Sequence, residues 1–96
     1  MFLIILRYKK SLVEVDIFVP EHRAFLVRHY ASGHFLLSGR QEPRDGGVIL
    51  ANASTRSEID GIICQDPFYR ENIAAYEIIE FLPSMAATEL AHLKAP

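Results

Sequence analysis

The sequence predicts an α+β fold with its elements in the order β-α-β-β-α-β, and three observations predict it. Between Gly33 and Ala51 two apolar runs, Phe35 to Ser38 and Val48 onward, flank a polar turn holding Arg40, Pro43, Arg44 and the pair Gly46–Gly47. That is a hairpin signal with a loop longer than the tightest turns. Further apolar runs, Phe2–Leu6 and Ala75–Leu82, lie toward the two ends of the chain. Two helical patterns, one opening at Pro20 and one at Thr55, separate these runs. Together they describe a split pair of right-handed β-α-β units, with a four-stranded antiparallel sheet and two helices on one face.

Taken in order, Phe2–Leu6 reads as a buried strand ended by Arg7, Tyr8, Lys9 and Lys10. Ser11–Val19 alternates Val13, Val15 and Ile17 with Glu14 and Asp16, the pattern of a short extended connector. Pro20 suits the first helical position and Glu21 the first turn. His22, Phe25, Leu26 and His29 then share one face, and Gly33 is the natural stop. Strands follow at Phe35–Ser38 and Val48–Ala53. Thr55 and Glu58 have capping-box spacing, so a second helix starts near Arg56 and buries Ile59, Ile62 and Ile63. Asp66 before Pro67 ends that helix. Phe68–Asn72 reads as a loop, Ala75–Leu82 as the fourth strand, and Ser84 as the cap of a short terminal helix. The chain therefore divides into one domain over residues 1–83 and a short helix or tail over 84–96.

With 96 residues, half of them hydrophobic and 23% charged, the chain is globular. A net charge of −2, with Lys9–Lys10 the only adjacent basic pair, gives no electrostatic reason to expect nucleic acid. No run approaches a membrane span. A single cysteine, Cys64, permits no internal disulfide and fits a reducing, cytoplasmic setting. The first three strands are apolar at consecutive positions, yet two helices cover only one face of the sheet. The other face would be an apolar patch, which predicts that two copies pair sheet to sheet as a homodimer.

Few residues are candidates for chemistry. His22, expected about one turn inside a helix start and partly desolvated, should have its pKa lowered and suit a general base, or else be a satisfied core histidine. Asp66 either orients that imidazole or merely opens the turn before Pro67. Ser38, Gly39, Arg40 and Arg44 sit at the end of the second strand and in its turn. They either hold a carboxylate or form a solvated loop with Arg44 near Asp45 and Arg40 near Glu42. His34 and His92 are expected at the surface and Cys64 as a buried, inert thiol. No pair has zinc-site spacing, so neither a metal nor a cofactor is expected.

These motifs together resemble the YciI-like (YCII-related) family. The resemblance runs from Phe2 to Leu82. It rests on His22 with Phe25–Leu26, Gly33 with Phe35–Gly39, Pro43–Gly47, Asp66–Pro67–Phe68, and Tyr76–Ile78 with Glu80–Phe81. It implies a ferredoxin-like fold paired into a dimeric α+β barrel, and a histidine–aspartate site at His22 and Asp66. It further implies a lyase or isomerase acting on a small unsaturated carboxylic acid, with Phe68 beside the substrate. Arg40 stands where many relatives have proline. Two functions follow: a cofactor-independent acid–base enzyme, or a non-catalytic dimeric module that binds a small acid or serves a partner.

Overall fold

The computed structural model describes all 96 residues. Its elements are β1 (Phe2–Tyr8), α1 (Leu12–Ala31), β2 (Phe35–Arg40), β3 (Gly46–Ala51), α2 (Arg56–Ile63), α3 (Pro67–Arg70) and β4 (Ala74–Glu80), followed by a 3-10 turn at Thr88–Leu93. The four strands form one antiparallel sheet in the order β2-β3-β1-β4. The order and architecture are the α+β, ferredoxin-like arrangement expected. No helix is long and apolar enough to cross a membrane.

The core lies between one face of this sheet and the helices. Phe2, Ile4 and Leu6 of β1 and Ile49 and Ala51 of β3 meet Val15 and Phe25 of α1 and Ile59, Ile62 and Ile63 of α2. Strand side chains alternate between faces, so the register sends the intervening residues to the opposite side. There Leu3 is opposite Leu50 and Ile79, Ile5 is opposite Val48, and Leu37 is opposite Leu50. Leu37 is 60% exposed and Ile79 41%. The sheet thus has an apolar face that nothing in the chain covers.

Two glycines are fixed by geometry. Gly33 has φ +85°, the left-handed residue past the end of α1. A Cβ on Gly46 would sit 1.8 Å from the Leu6 carbonyl oxygen, so β3 approaches β1 there only without a side chain.

The largest departure from expectation is α1. No extended connector occupies Ser11–Val19. The helix begins eight residues before Pro20, capped by Ser11, whose hydroxyl accepts a hydrogen bond from the Glu14 amide at 3.3 Å. Pro20 lies inside the helix and forfeits one backbone hydrogen bond, a local penalty that burial of Val15, Phe25 and His29 outweighs. The period-two pattern has a simple origin. Val15 points into the core, while Val13 and Ile17 are 77% and 67% exposed on the opposite side, so a helix apolar on two faces mimics a strand.

Smaller corrections follow the same logic. The segment predicted as a loop at Phe68–Asn72 begins with the helical turn α3, and α2 ends at Ile63, with Asp66 capping α3 rather than closing α2. The strands β1 and β2 run two residues further than expected, to Tyr8 and Arg40, and β3 and β4 start and end earlier, at Gly46–Ala51 and Ala74–Glu80. The terminal turn has Ala87, not Ser84, at its N-cap, with no side-chain bond. Cys64 is exposed, not buried. His34 is tied by Ser32 at Nδ1 (2.7 Å) and Glu58 at Nε2 (2.6 Å) rather than free in solvent.

Candidate active site

Ser11 starts α1 early, so His22 falls in the middle of the helix rather than near its positive end. The dipole argument for its charge state therefore does not apply. What defines His22 is its neighbours. It lies on the core-facing side with Phe25 and His29, and its side chain is 15% exposed. Its ring stacks on Phe68 at 4.1 Å between centroids, with only 5° between planes.

Asp66 reaches His22 because the chain turns sharply after α2. Proline at the first position of α3 leaves the residue before it in extended geometry, and Asp66 takes the N-cap place with φ −77° and ψ 127°. Its side chain is fully buried. Oδ1 accepts from the Phe68 amide at 3.0 Å and lies 2.8 Å from His22 Nδ1. Oδ2 accepts from the Tyr76 hydroxyl on β4. Burial, and then the charge of Asp66, push the Tyr76 hydroxyl well above the usual tyrosine range, so it stays protonated and remains a donor. Both Asp66 readings are thus realised in one side chain, which opens a turn and holds an imidazole. With Nδ1–H directed at a carboxylate, the neutral ring keeps its free lone pair on Nε2.

His22 forms part of the wall of a cavity of about 440 Å³ between α1 and the sheet. Ser38, Gly39, Arg40, Arg44 and Phe68 line the same cavity. The structure therefore brings the sequence-predicted residues together, with Asp66 behind His22 rather than at the wall. Their engagements differ from expectation in one respect. Arg44 pairs with Asp16 of α1, not Asp45, and this contact holds the Asp16 carboxyl below and the Arg44 guanidinium above their ordinary values. Arg40 does pair with Glu42, at 3.1 Å. The Ser38 hydroxyl lies 2.5 Å from that of Tyr30.

Two residues escaped the sequence reading. Tyr76 gives no local signal, because its role depends on the pairing of β4 with β1. Arg23 follows His22 in α1, lines the cavity and has no ion-pair partner. Placing the core face of α1 at His22 puts the next residue on the flank of that face, which is the signal that locates Arg23. Three arginines and no aspartate or glutamate line this cavity, in a protein whose net charge is −2. The wall is completed by apolar groups such as Val19, Leu26 and Ile49. Such a site can bind a small anion with an apolar body and present it to an imidazole.

The comparisons with known proteins agree with this architecture. No curated protein matches the chain. Among solved structures it is similar to the 5-chloro-2-hydroxyhydroquinone dehydrochlorinase of Burkholderia phenoliruptrix, in complex with 2,5-dihydroxybenzoquinone. That likeness has a TM-score of 0.67 at 18% identity, covering 86% of this chain and 95% of that one, and it shows a shared fold. A family model, the YCII-related domain, matches residues 1–82, from the first strand to just past β4. By that match the chain belongs to the YCII-related family.

Proposed function

We propose that the protein is a cofactor-independent lyase or isomerase that removes a proton from a small unsaturated carboxylic acid. The observation that carries this reading is His22 Nδ1 at 2.8 Å from the buried Asp66 carboxylate, with the ring at the wall of an arginine-lined cavity. His22 Nε2 takes the proton from a carbon alpha or gamma to the substrate carboxylate. The electrons of that C–H bond pass into a conjugated enolate. Loss of a leaving group such as chloride from the adjacent carbon completes an elimination, or return of the proton at another carbon completes an isomerisation. Asp66 stabilises the imidazolium formed, and Tyr76 fixes the carboxylate. Arg23 and Arg40 hold the substrate carboxylate, with the Ser38 hydroxyl and the Gly39 backbone beside it, and Arg44 adds positive field from its pair with Asp16. Phe68 holds the imidazole plane. That the structurally similar protein is a dehydrochlorinase supports the elimination.

The bare sheet face supports a second part of the reading. Leu3, Ile5, Leu37, Val48, Leu50 and Ile79 pair with the same residues of a second copy, as a homodimer. The single, exposed thiol suits a reducing, cytoplasmic setting.

Proton abstraction is tested by incubating small chlorinated and unchlorinated unsaturated acids with the protein in heavy water. Deuterium incorporation and chloride release are followed by NMR and ion chromatography. Exchange or elimination that disappears in His22→Ala supports the reading. Acids that bind without any exchange would leave a non-catalytic binding module, the alternative function.

A further inference from the structure

The outward side of α1 carries a regular apolar seam. Val13, Ile17, Pro20, Ala24, Val27 and Ala31 recur at intervals of four, three, four, three and four residues, and all six are exposed. Val13, Ile17 and Val27 are 77%, 67% and 66% exposed, large values for branched apolar side chains. The seam lies opposite the core-facing residues Val15, His22, Phe25 and His29. It therefore owes nothing to the fold of the single chain. A repeat of about 3.5 residues is the spacing that keeps one stripe of a helix against a partner helix over several turns.

We propose that this seam docks against the same seam of a second copy, with the two α1 helices antiparallel. Two observations select that occupant. The seam is self-complementary under a two-fold axis near its midpoint, which sets Ile17 opposite Val27, Pro20 opposite Ala24 and Val13 opposite Ala31. The charges along α1 also demand the antiparallel sense. Every acid, Glu14, Asp16 and Glu21, lies in the first half, and both arginines, Arg23 and Arg28, lie in the second. Asp16 and Glu21 are already engaged by Arg44 and Arg70. Glu14 and Arg28 have no ion-pair partner within the chain. They sit two heptads apart on the same flank of the seam, so an antiparallel partner brings Glu14 of one copy beside Arg28 of the other. A parallel pair would set like charge against like along the whole helix. This contact uses the side of the helix layer remote from the bare sheet face, so it adds to sheet pairing rather than competing with it. It is also independent of any chemistry in the cavity.

Sedimentation velocity of the full chain tests it, comparing the unaltered protein with the double variant Ile17→Glu/Val27→Glu. Both side chains are mostly in water in the single chain, so circular dichroism should show the variant folded. The assembly mass is expected to halve in the variant. An equal mass for the two proteins, or an unaltered protein that sediments as a single chain, overturns the proposal. The antiparallel sense is tested in a Cys64→Ser background. Ile17→Cys/Val27→Cys should form an intermolecular disulfide on mild oxidation and Ile17→Cys alone should not. Cross-linking by Ile17→Cys alone overturns the antiparallel register.

Discussion

Two histidines of α1, one heptad apart on the same inward face, are held by two consecutive residues of the segment between α2 and α3. His22 meets Asp66, and His29 meets Gln65, whose Oε1 lies 2.9 Å from His29 Nε2. The partners differ by an amide in place of a carboxylate, and the surroundings differ as much. His22 opens on the cavity. His29 is buried between Phe25 and Phe35, at 5.0 and 5.2 Å between ring centroids, and its Nδ1 has no hydrogen-bond partner. A carboxylate stabilises an imidazolium and a neutral amide does so far less, so of the two rings His22 is the one whose partner suits the proton transfer proposed above. The lesson is that helical position alone does not make a histidine reactive. Its partner and its access to a ligand do.

The comparison breaks most sharply by removing each ring. His22→Ala should lower turnover by about a hundredfold or more, the usual span of general-base catalysis, and leave folding intact. His29→Ala should leave turnover within a few-fold and cost about 2 kcal/mol of stability by urea denaturation. The reverse result would make His29 the functional ring. In the unaltered protein kcat/KM should rise with pH through a single ionisation, and that limb should vanish in His22→Ala.

Asp66→Asn comes next. The amide no longer fixes the ring tautomer, and turnover should fall by about a hundredfold to ten-thousandfold, whereas Gln65→Ala should leave it nearly unchanged. Asp66→Ala should also lose about 3 kcal/mol in the same denaturation assay, because the Tyr76 hydroxyl, the Phe68 amide and His22 Nδ1 all lose their acceptor.

A smaller effect sharpens the role of Tyr76. Its hydroxyl is raised above the ordinary value of 10, so its contribution to stability is complete below that pH and is lost as pH climbs toward the folded-state value. Thermal melts should therefore show an alkaline decline for the unaltered protein that is weaker in Tyr76→Phe, together with a loss of about 1 kcal/mol at neutral pH from the missing hydrogen bond. Smallest is the effect at the far end of the same helix layer. The His34 hydrogen bond, with help from the Ser54 amide, holds Glu58 below its ordinary 4.5. That stabilisation is complete above this value and fades as pH falls through the folded-state one. Glu58→Gln should flatten the acid limb of the melting profile, and an unchanged limb would remove Glu58 from it.

The legible and illegible parts of the molecule divide along local and non-local lines. Thr55 and Glu58 announce α2, and the structure uses both, the Thr55 hydroxyl accepting from the Glu58 amide at 3.1 Å and Glu58 accepting from Ser54. Ser11 and Glu14 carry the same spacing, yet two competing signals hide it. Pro20 is attractive as a first helical residue, and the two apolar faces of α1 imitate alternation. The apolar second face of the sheet follows from Phe2–Leu6 and Phe35–Ser38 directly. The gathering of His22, Asp66, Ser38, Arg40, Arg44 and Phe68 is legible through a combination of motifs spread along the chain. Arg23 is marked only by its place beside His22 on the flank of the inward face, and Tyr76 is not marked at all, because its role depends on β4 pairing beside β1. The pairing of Arg44 with Asp16 needs the true start of α1, since Asp16 belongs to a helix only when Ser11 begins it.

One carboxylate, that of Asp66, both begins the four-residue turn at Pro67 and steadies the imidazole across from it. Architecture and reactivity here share a single hinge pin. If His22 is the base proposed above, fraying of that turn should disarm it while the sheet is still intact, and turnover should fall under mild heat or denaturant before the protein melts. A loss of turnover that precedes the main unfolding transition is the signature of that shared pin.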